Sequence, residues 1–219
     1  MPSESLRALL THLIDYAGLF PPASLDLQTA MRNYAAYREG EYAWMLGRFV
    51  VPAARKGELD AAWPLAVLES APRKMEVAGD AMYYEIPLDA DPASLGARAK
   101  IRLGGESYPE PPPVADFLRR CAAARVSFKA TAGLHHPLRN PPMHGFVNLF
   151  LAAALAWRGE DPLSTLEETS FAFDDDAVRW RKHTVTVAEL RNVREQFAIS
   201  FGSCSFEEPI DDLKALGWL

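Results

Sequence analysis

The chain has few cysteines, no basic excess and no long apolar run, and each shortage removes a class of function. Two cysteines in 219 residues, Cys121 and Cys204, cannot build the disulfide framework of a small secreted domain, and neither stands in a C-x-x-C pair. A formal net charge of −6 speaks against a nucleic-acid partner, because phosphate backbones are bound by basic surfaces. The longest apolar stretch, 145–157, is too short to cross a bilayer and carries Asn148. No basic segment followed by an apolar one is read as a leader. No linker rich in Ser, Gly or Pro divides the chain. The expectation is one domain over 1–219, in a reducing cytoplasm, with no membrane contact.

What the chain does have is a series of short β-type runs, most of them followed by helical patterns. The runs fall at 13–18, 43–51, 64–68, 81–88, 99–103, 126–131, 170–173 and 197–201. Helical patterns stand at 27–38, with Ser24 or Asp26 as N-cap, and at 114–124, 143–157 and 186–196, the last opened by a capping box of Thr186 and Glu189. Pro109-Glu110-Pro111-Pro112-Pro113 reads as a stiff loop before the helix at Val114. Eight strands alternating with helices imply parallel pairing and an α/β fold of the (β/α)8 TIM-barrel type, with an open doubly wound sheet as the alternative. The barrel is irregular. Only 69–80, with Pro72 inside it, separates the third and fourth strands, so the third helix is short or missing. The seventh unit is irregular too, since Phe173-Asp174-Asp175-Asp176-Ala177 resembles a hairpin turn more than a helix start.

The chemistry centres on Lys129, in Val126-Ser127-Phe128-Lys129-Ala130-Thr131, an apolar run that reads as a buried strand. Desolvation disfavours an ammonium and can bring a lysine toward neutrality, where its amine can attack a carbonyl and form a Schiff base. The same position also suits a lysine that snorkels out at the strand end, or one neutralised by a carboxylate with no chemistry to do. Period-two alternation turns Ser127 and Thr131 inward with Lys129, and offers Asp15, Arg48, Glu85, Arg102, Ser200 and Gly202 near the equivalent strand ends. These groups would make a polar cavity with a slight positive excess, suited to a small anionic or carbonyl-bearing ligand, or else a salt-bridge layer that plugs the barrel.

The order of these motifs resembles the deoxyribose-phosphate aldolases of the class I aldolase superfamily. Leu13-Ile14-Asp15-Tyr16-Ala17-Gly18-Leu19-Phe20-Pro21 is similar to that family's first strand and following loop. Lys129-Ala130-Thr131-Ala132-Gly133 is similar to its Schiff-base strand, and Ser200-Phe201-Gly202-Ser203-Cys204-Ser205 to its phosphate-binding last strand. The resemblance implies a TIM barrel with Lys129 as nucleophile and with Ser203 and Ser205 facing substrate. It departs in two places. No second lysine follows on 170–173, so Arg48 or Arg102 would have to lower the pKa of Lys129. Glu207 and Glu208 stand where a phosphate-binding helix start would avoid negative charge.

The expected function is therefore lyase or aldol-type chemistry on a small carbonyl or hydroxy-acid compound, with no cofactor. Glu85 and Asp15 move protons, Arg48 and Arg102 hold an anionic group, and Thr131, His135 and His136 shape the mouth. One rival is a metal-dependent hydrolase or isomerase built on His135, His136 and His144, because zinc accepts imidazole ligands. Another is a barrel that binds a ligand or partner without catalysis. Assembly into a homo-oligomer is left open.

Overall fold

A strand forms here where every second side chain finds an interior to face, and the computed structural model, which describes residues 1–70 and 74–219, shows eleven such segments. In chain order they begin with β1 (Ile14–Tyr16), β2 (Leu46–Pro52), β3 (Leu65–Glu69), β4 (Met75–Ala78), β5 (Ala81–Glu85), β6 (Arg98–Arg102) and β7 (Phe128–Thr131). There follow β8 (Ala172–Phe173), β9 (Ala177–Trp180), β10 (His183–Thr186) and β11 (Ala198–Ser203). Eight of them close into a barrel in the order β1-β11-β7-β6-β5-β4-β3-β2. All neighbours run parallel except around β4, which is antiparallel to both β3 and β5. The fold is a TIM-barrel-like α/β barrel.

The expected set of eight strands needs one exchange. The run at 170–173 is not a barrel strand. Only β8 forms there, and it pairs with β9 in a separate three-stranded antiparallel sheet, β10-β9-β8. The reason is local: Asp174 Oδ1 accepts the backbone N–H of Asp176 and of Ala177, both at 2.9 Å, and so folds the chain back on itself. The barrel's eighth place is taken by β4, from the interval 69–80 in which the third helix is expected to be short or missing. Its signal is Met-Glu-Val-Ala and Ala-Met-Tyr-Tyr flanking Gly79-Asp80. Ala78 pairs with Ala81, which leaves a two-residue loop, and Gly79 takes φ +66°, a conformation that favours glycine. Pro72 lies outside the described residues.

The helices are α1 (Glu4–Leu10), α2 (Leu27–Glu39), α3 (Pro111–Ala124), α4 (Phe146–Trp157), α5 (Leu163–Leu166), α6 (Val187–Gln196) and α7 (Glu207–Ala215). Asp26 caps α2 by accepting from the Thr29 N–H, and the Thr186–Glu189 capping box opens α6. α3 starts earlier than expected, because Pro111 to Pro113 form its first turn, where no intrahelical N–H is required. α3 and α4 pack against β7 and β11 with aromatic contacts, Phe117 to Phe128 at 5.8 Å and Phe146 to Phe201 at 5.2 Å between ring centroids. α4 is buried from Phe146 to Ala156, as its nearly unbroken apolar sequence requires. After β2 and β5 only short 3-10 stretches occur, Ala53–Glu58 and Pro92–Ser94. Among the described residues, the β2 to β5 side of the barrel thus lacks α-helical units of its own.

Candidate active site

Alternation along β6 and β7 brings Lys100 and Lys129 side by side, since the two are register partners in parallel strands. On β4 the same alternation turns Glu76 toward them. Lys100 Nζ donates to Glu76 Oε2 at 2.8 Å, and Lys129 Nζ donates to Glu76 Oε1. Lys129 Nζ also lies 2.6 Å from Asp15 Oδ2 and 5.3 Å from the centre of the Tyr83 ring. Exposures of 0% for Asp15, 1% for Lys129, 2% for Glu76 and 6% for Lys100 seal this group inside the barrel. Two cations and two anions cancel, which is how a buried charge layer avoids an unpaired ion.

Two irregularities build the Asp15 end. Opposite β1, the register with β2 slips between Ile14–Leu46 and Tyr16–Phe49, so Gly47 and Arg48 together occupy one inward place. Arg48 N–H there donates to Asp15 Oδ1 at 2.6 Å. A side chain at position 47 would place its Cβ 2.3 Å from Asp15 Oδ1, so glycine is required for space. The register of β11 with β7 slips likewise between Ala198–Phe128 and Phe201–Ala130, and Ser200 Oγ donates to Asp15 Oδ2 at 2.7 Å. Arg194 donates to the β11 carbonyls of Ala198, at 2.5 Å, and Ile199. Burial lowers its pKa to about 9.

Burial alone would lower the pKa of Lys129, but the Asp15 and Glu76 carboxylates outweigh it and hold the ammonium above the ordinary lysine range. Burial likewise pushes Glu76 up, and Lys129 and Lys100 outweigh that and hold it below the ordinary glutamate range. The expected drift of Lys129 toward neutrality is therefore not its resting state. In the free protein it is a paired cation.

The remaining expected site residues divide. Glu85 sits at the mouth, accepting from Arg102 Nε at 3.0 Å and lying 3.5 Å from Lys74 Nζ, and it makes no hydrogen bond to Lys129. Glu76 has the place assigned to it. Arg48 acts through its backbone, and Arg102 is half-exposed and paired with Glu85, so Lys100 is the second cation beside Lys129. Thr131 ends β7 at the mouth, opposite Gly202. Ser203 Oγ accepts from Ser205 N–H at 3.4 Å, and Ser205 Oγ accepts from Glu208 N–H at 3.1 Å, so both hydroxyls serve the turn into α7.

The three histidines are not brought together. His135 Nδ1 pairs with Glu208 at 3.1 Å and His136 Nδ1 with Asp212 at 2.6 Å, two carboxylates one turn apart on α7. His144 is fully buried, its Nε2 bonded to the Pro109 carbonyl at 2.8 Å. Among the described residues no group of three or more His, Cys, Asp or Glu side chains could hold a metal ion, and no helix is long and apolar enough to cross a membrane.

Glu76 and Lys100 are the site residues that sequence reasoning missed. Lys100 was legible, since it lies two residues before Arg102 on the same strand face. Glu76 was not, because 69–80 reads only as a connection whose helix is short or missing, with no strand in it. No family model, curated protein or solved structure matches this chain.

Proposed function

We propose that this chain is a lyase of class I aldolase type, acting on a small carbonyl or hydroxy-acid compound through a Schiff base on Lys129. The observation that carries the reading is a lysine inside the barrel, bracketed by Asp15 and Glu76, with a second lysine on the far oxygen of Glu76. Lys100 supplies the neighbouring cation that the sequence resemblance lacked at 170–173. Its charge opposes a second ammonium nearby and so favours loss of a proton from Lys129 once a carbonyl group displaces a carboxylate partner. The reading needs no cofactor and places the reaction in the cytoplasm. The mouth groups Arg102, Lys74 and Glu85 meet the substrate first.

A second reading draws on the same burial: the four charges are a structural layer that plugs the barrel, and the chain works as a binding protein. Borohydride trapping separates the two. Purified protein is incubated with a panel of aldehydes, ketones and 2-oxo acids, reduced, and mapped by peptide mass spectrometry. An adduct on Lys129, absent from folded Lys129→Arg, supports the lyase. No adduct on folded wild-type protein across the panel leaves the structural layer as the answer.

A further inference from the structure

We propose that Arg98, Tyr83 and Ser127 form a binding site for a small oxyanion inside the N-terminal end of the barrel, the end away from the mouth. The site is independent of the chemistry proposed for Lys129.

The three residues stand in one row across adjacent strands. Tyr83 on β5 is the register partner of Arg98 on β6, and Ala99 is the partner of Phe128 on β7, so Ser127 falls beside Arg98. The bond from Ala99 N–H to the Ser127 carbonyl, at 2.9 Å, carries the ladder down to that residue. Two residues further along these strands, Lys100 and Lys129 face the interior and meet Glu76 there. Alternation therefore turns Arg98 and Ser127 inward as well. Arg98 opens β6, which puts the row at the end where the strands begin.

Arg98 is an inward cation without a counter-ion. Above it Asp15 and Glu76 balance Lys129 and Lys100, and Glu85 takes Arg102. Arg98 makes no ion pair among the described residues. Its one side-chain hydrogen bond runs from Nη1 to the Tyr83 hydroxyl at 3.0 Å, with the guanidinium carbon 5.6 Å from the ring centre. A guanidinium carries five N–H donors, so most of them are free for an acceptor.

The neighbours add donors and no acceptor. Tyr83 is only 1% exposed, and its oxygen accepts from Arg98, which leaves the O–H hydrogen with no acceptor among the described residues. A buried tyrosine hydroxyl ordinarily finds one. The Ser127 hydroxyl likewise has no hydrogen-bond partner among the described residues. Ala66, Ala78 and Ala81, which cluster with Tyr83, bring no polar side-chain atom. A cationic fork flanked by two unused hydroxyls matches a phosphate or carboxylate group, two oxygens on the guanidinium and the others on the hydroxyls. Arg98 and Ser127 are partly buried, so the group enters from solvent at that end, either as a free ion or as the tip of a larger molecule. Barrels of this type place their chemistry at the opposite face, and the site is separate from the mouth.

Isothermal titration calorimetry at neutral pH and fixed ionic strength tests the site, with inorganic phosphate, phenyl phosphate and acetate as probes. One saturable site is expected on the wild-type protein. Binding of phenyl phosphate as well as phosphate supports it with the tip of a larger molecule as occupant, phosphate alone supports it with the free ion, and acetate alone supports it with a carboxylate. Arg98→Gln and Ser127→Ala are each expected to weaken binding at least about tenfold, the lower end for a lost hydrogen bond to a charged group. Ser127→Ala removes only a partly buried hydroxyl, so it decides the matter should circular dichroism show Arg98→Gln unfolded. No saturable binding of any probe overturns the proposal, as does affinity within threefold of wild type in either folded variant. Binding that survives Arg98→Gln but is lost in Arg102→Gln puts the anion at the mouth and overturns it too.

Discussion

Replacing Gly47 by alanine adds one methyl group at the place where the barrel wall meets Asp15. The new Cβ would stand 2.3 Å from Asp15 Oδ1 and 3.2 Å from the carbonyl oxygens of His12 and Ile14. The first distance is far inside van der Waals contact, and the oxygen cannot withdraw without breaking its bonds to Arg48 N–H or its approach to Lys129. Two effects add. Overpacking in a tight interior costs about 1–3 kcal/mol, and weakening a buried hydrogen bond to a charged group about 1.5–3 kcal/mol. The sum is roughly 2.5–6 kcal/mol, and at about 2–4 °C per kcal/mol for a chain of this size the melting temperature should fall by about 5–24 °C. Gly57→Ala is the control, because a Cβ there meets nothing within 4 Å. Thermal melts by circular dichroism at neutral pH decide the matter. If Gly47→Ala melts within a degree of wild type, the Asp15 cradle is not the close-packed structure described above.

Other perturbations follow from the same geometry. Lys129→Met leaves Asp15 and Glu76 without their shared cation and should cost about 3–5 kcal/mol by urea denaturation, as for one partner removed from a buried pair; a loss under about 1 kcal/mol would mean the site is wet. Stability should also fall at both ends of the pH scale. Glu76, with its pKa depressed when folded, contributes stability above the ordinary value of 4.5 that is lost as pH falls through its folded value. Lys129, with its pKa raised, contributes stability below the ordinary value of 10.5 that is lost as pH rises through its folded value, and melts across the range should show both limbs, the alkaline one weakened in Lys129→Met. Gly79→Ala adds a side chain in open space but at φ +66°, so it should cost only about 1–2 kcal/mol, and Gly79→Asn, which tolerates that region better, should recover part of it.

Seven of the barrel strands were legible because each is an apolar or alternating run closed by turn residues, and Lys129 and Asp15 were legible as ionisable residues within such runs. β4 escaped because four residues are too few for periodicity to declare itself, and because a barrel of this kind leads one to expect a helix after each strand. The hairpin cue at Gly79-Asp80 was present and was outweighed by that expectation. The run at 170–173 failed for the opposite reason, since an apolar stretch of strand length says nothing about which sheet it joins. Inward alternation picked Arg102 but passed over Lys100 on the same face. The two register slips beside Asp15 have no sequence signature beyond Gly47, yet they decide which atoms touch the carboxylate.

The pairing of β1 with β11 has a consequence in time. Ser200 reaches Asp15 across 185 residues of chain, and Lys129 lies between them in sequence. Contacts that distant carry the largest loop-closure entropy and form late, whereas the β3-β4-β5 meander is local and can zip early. A nascent chain on the ribosome would thus hold Glu76 in its hairpin well before Ser200 had been synthesised, and Lys129 would gain its complete surroundings only after the last strand had docked against the first. Assembly of the charge layer is in this sense clocked by barrel closure, and a chain truncated before β11 would lack the Ser200 hydroxyl that bonds Asp15.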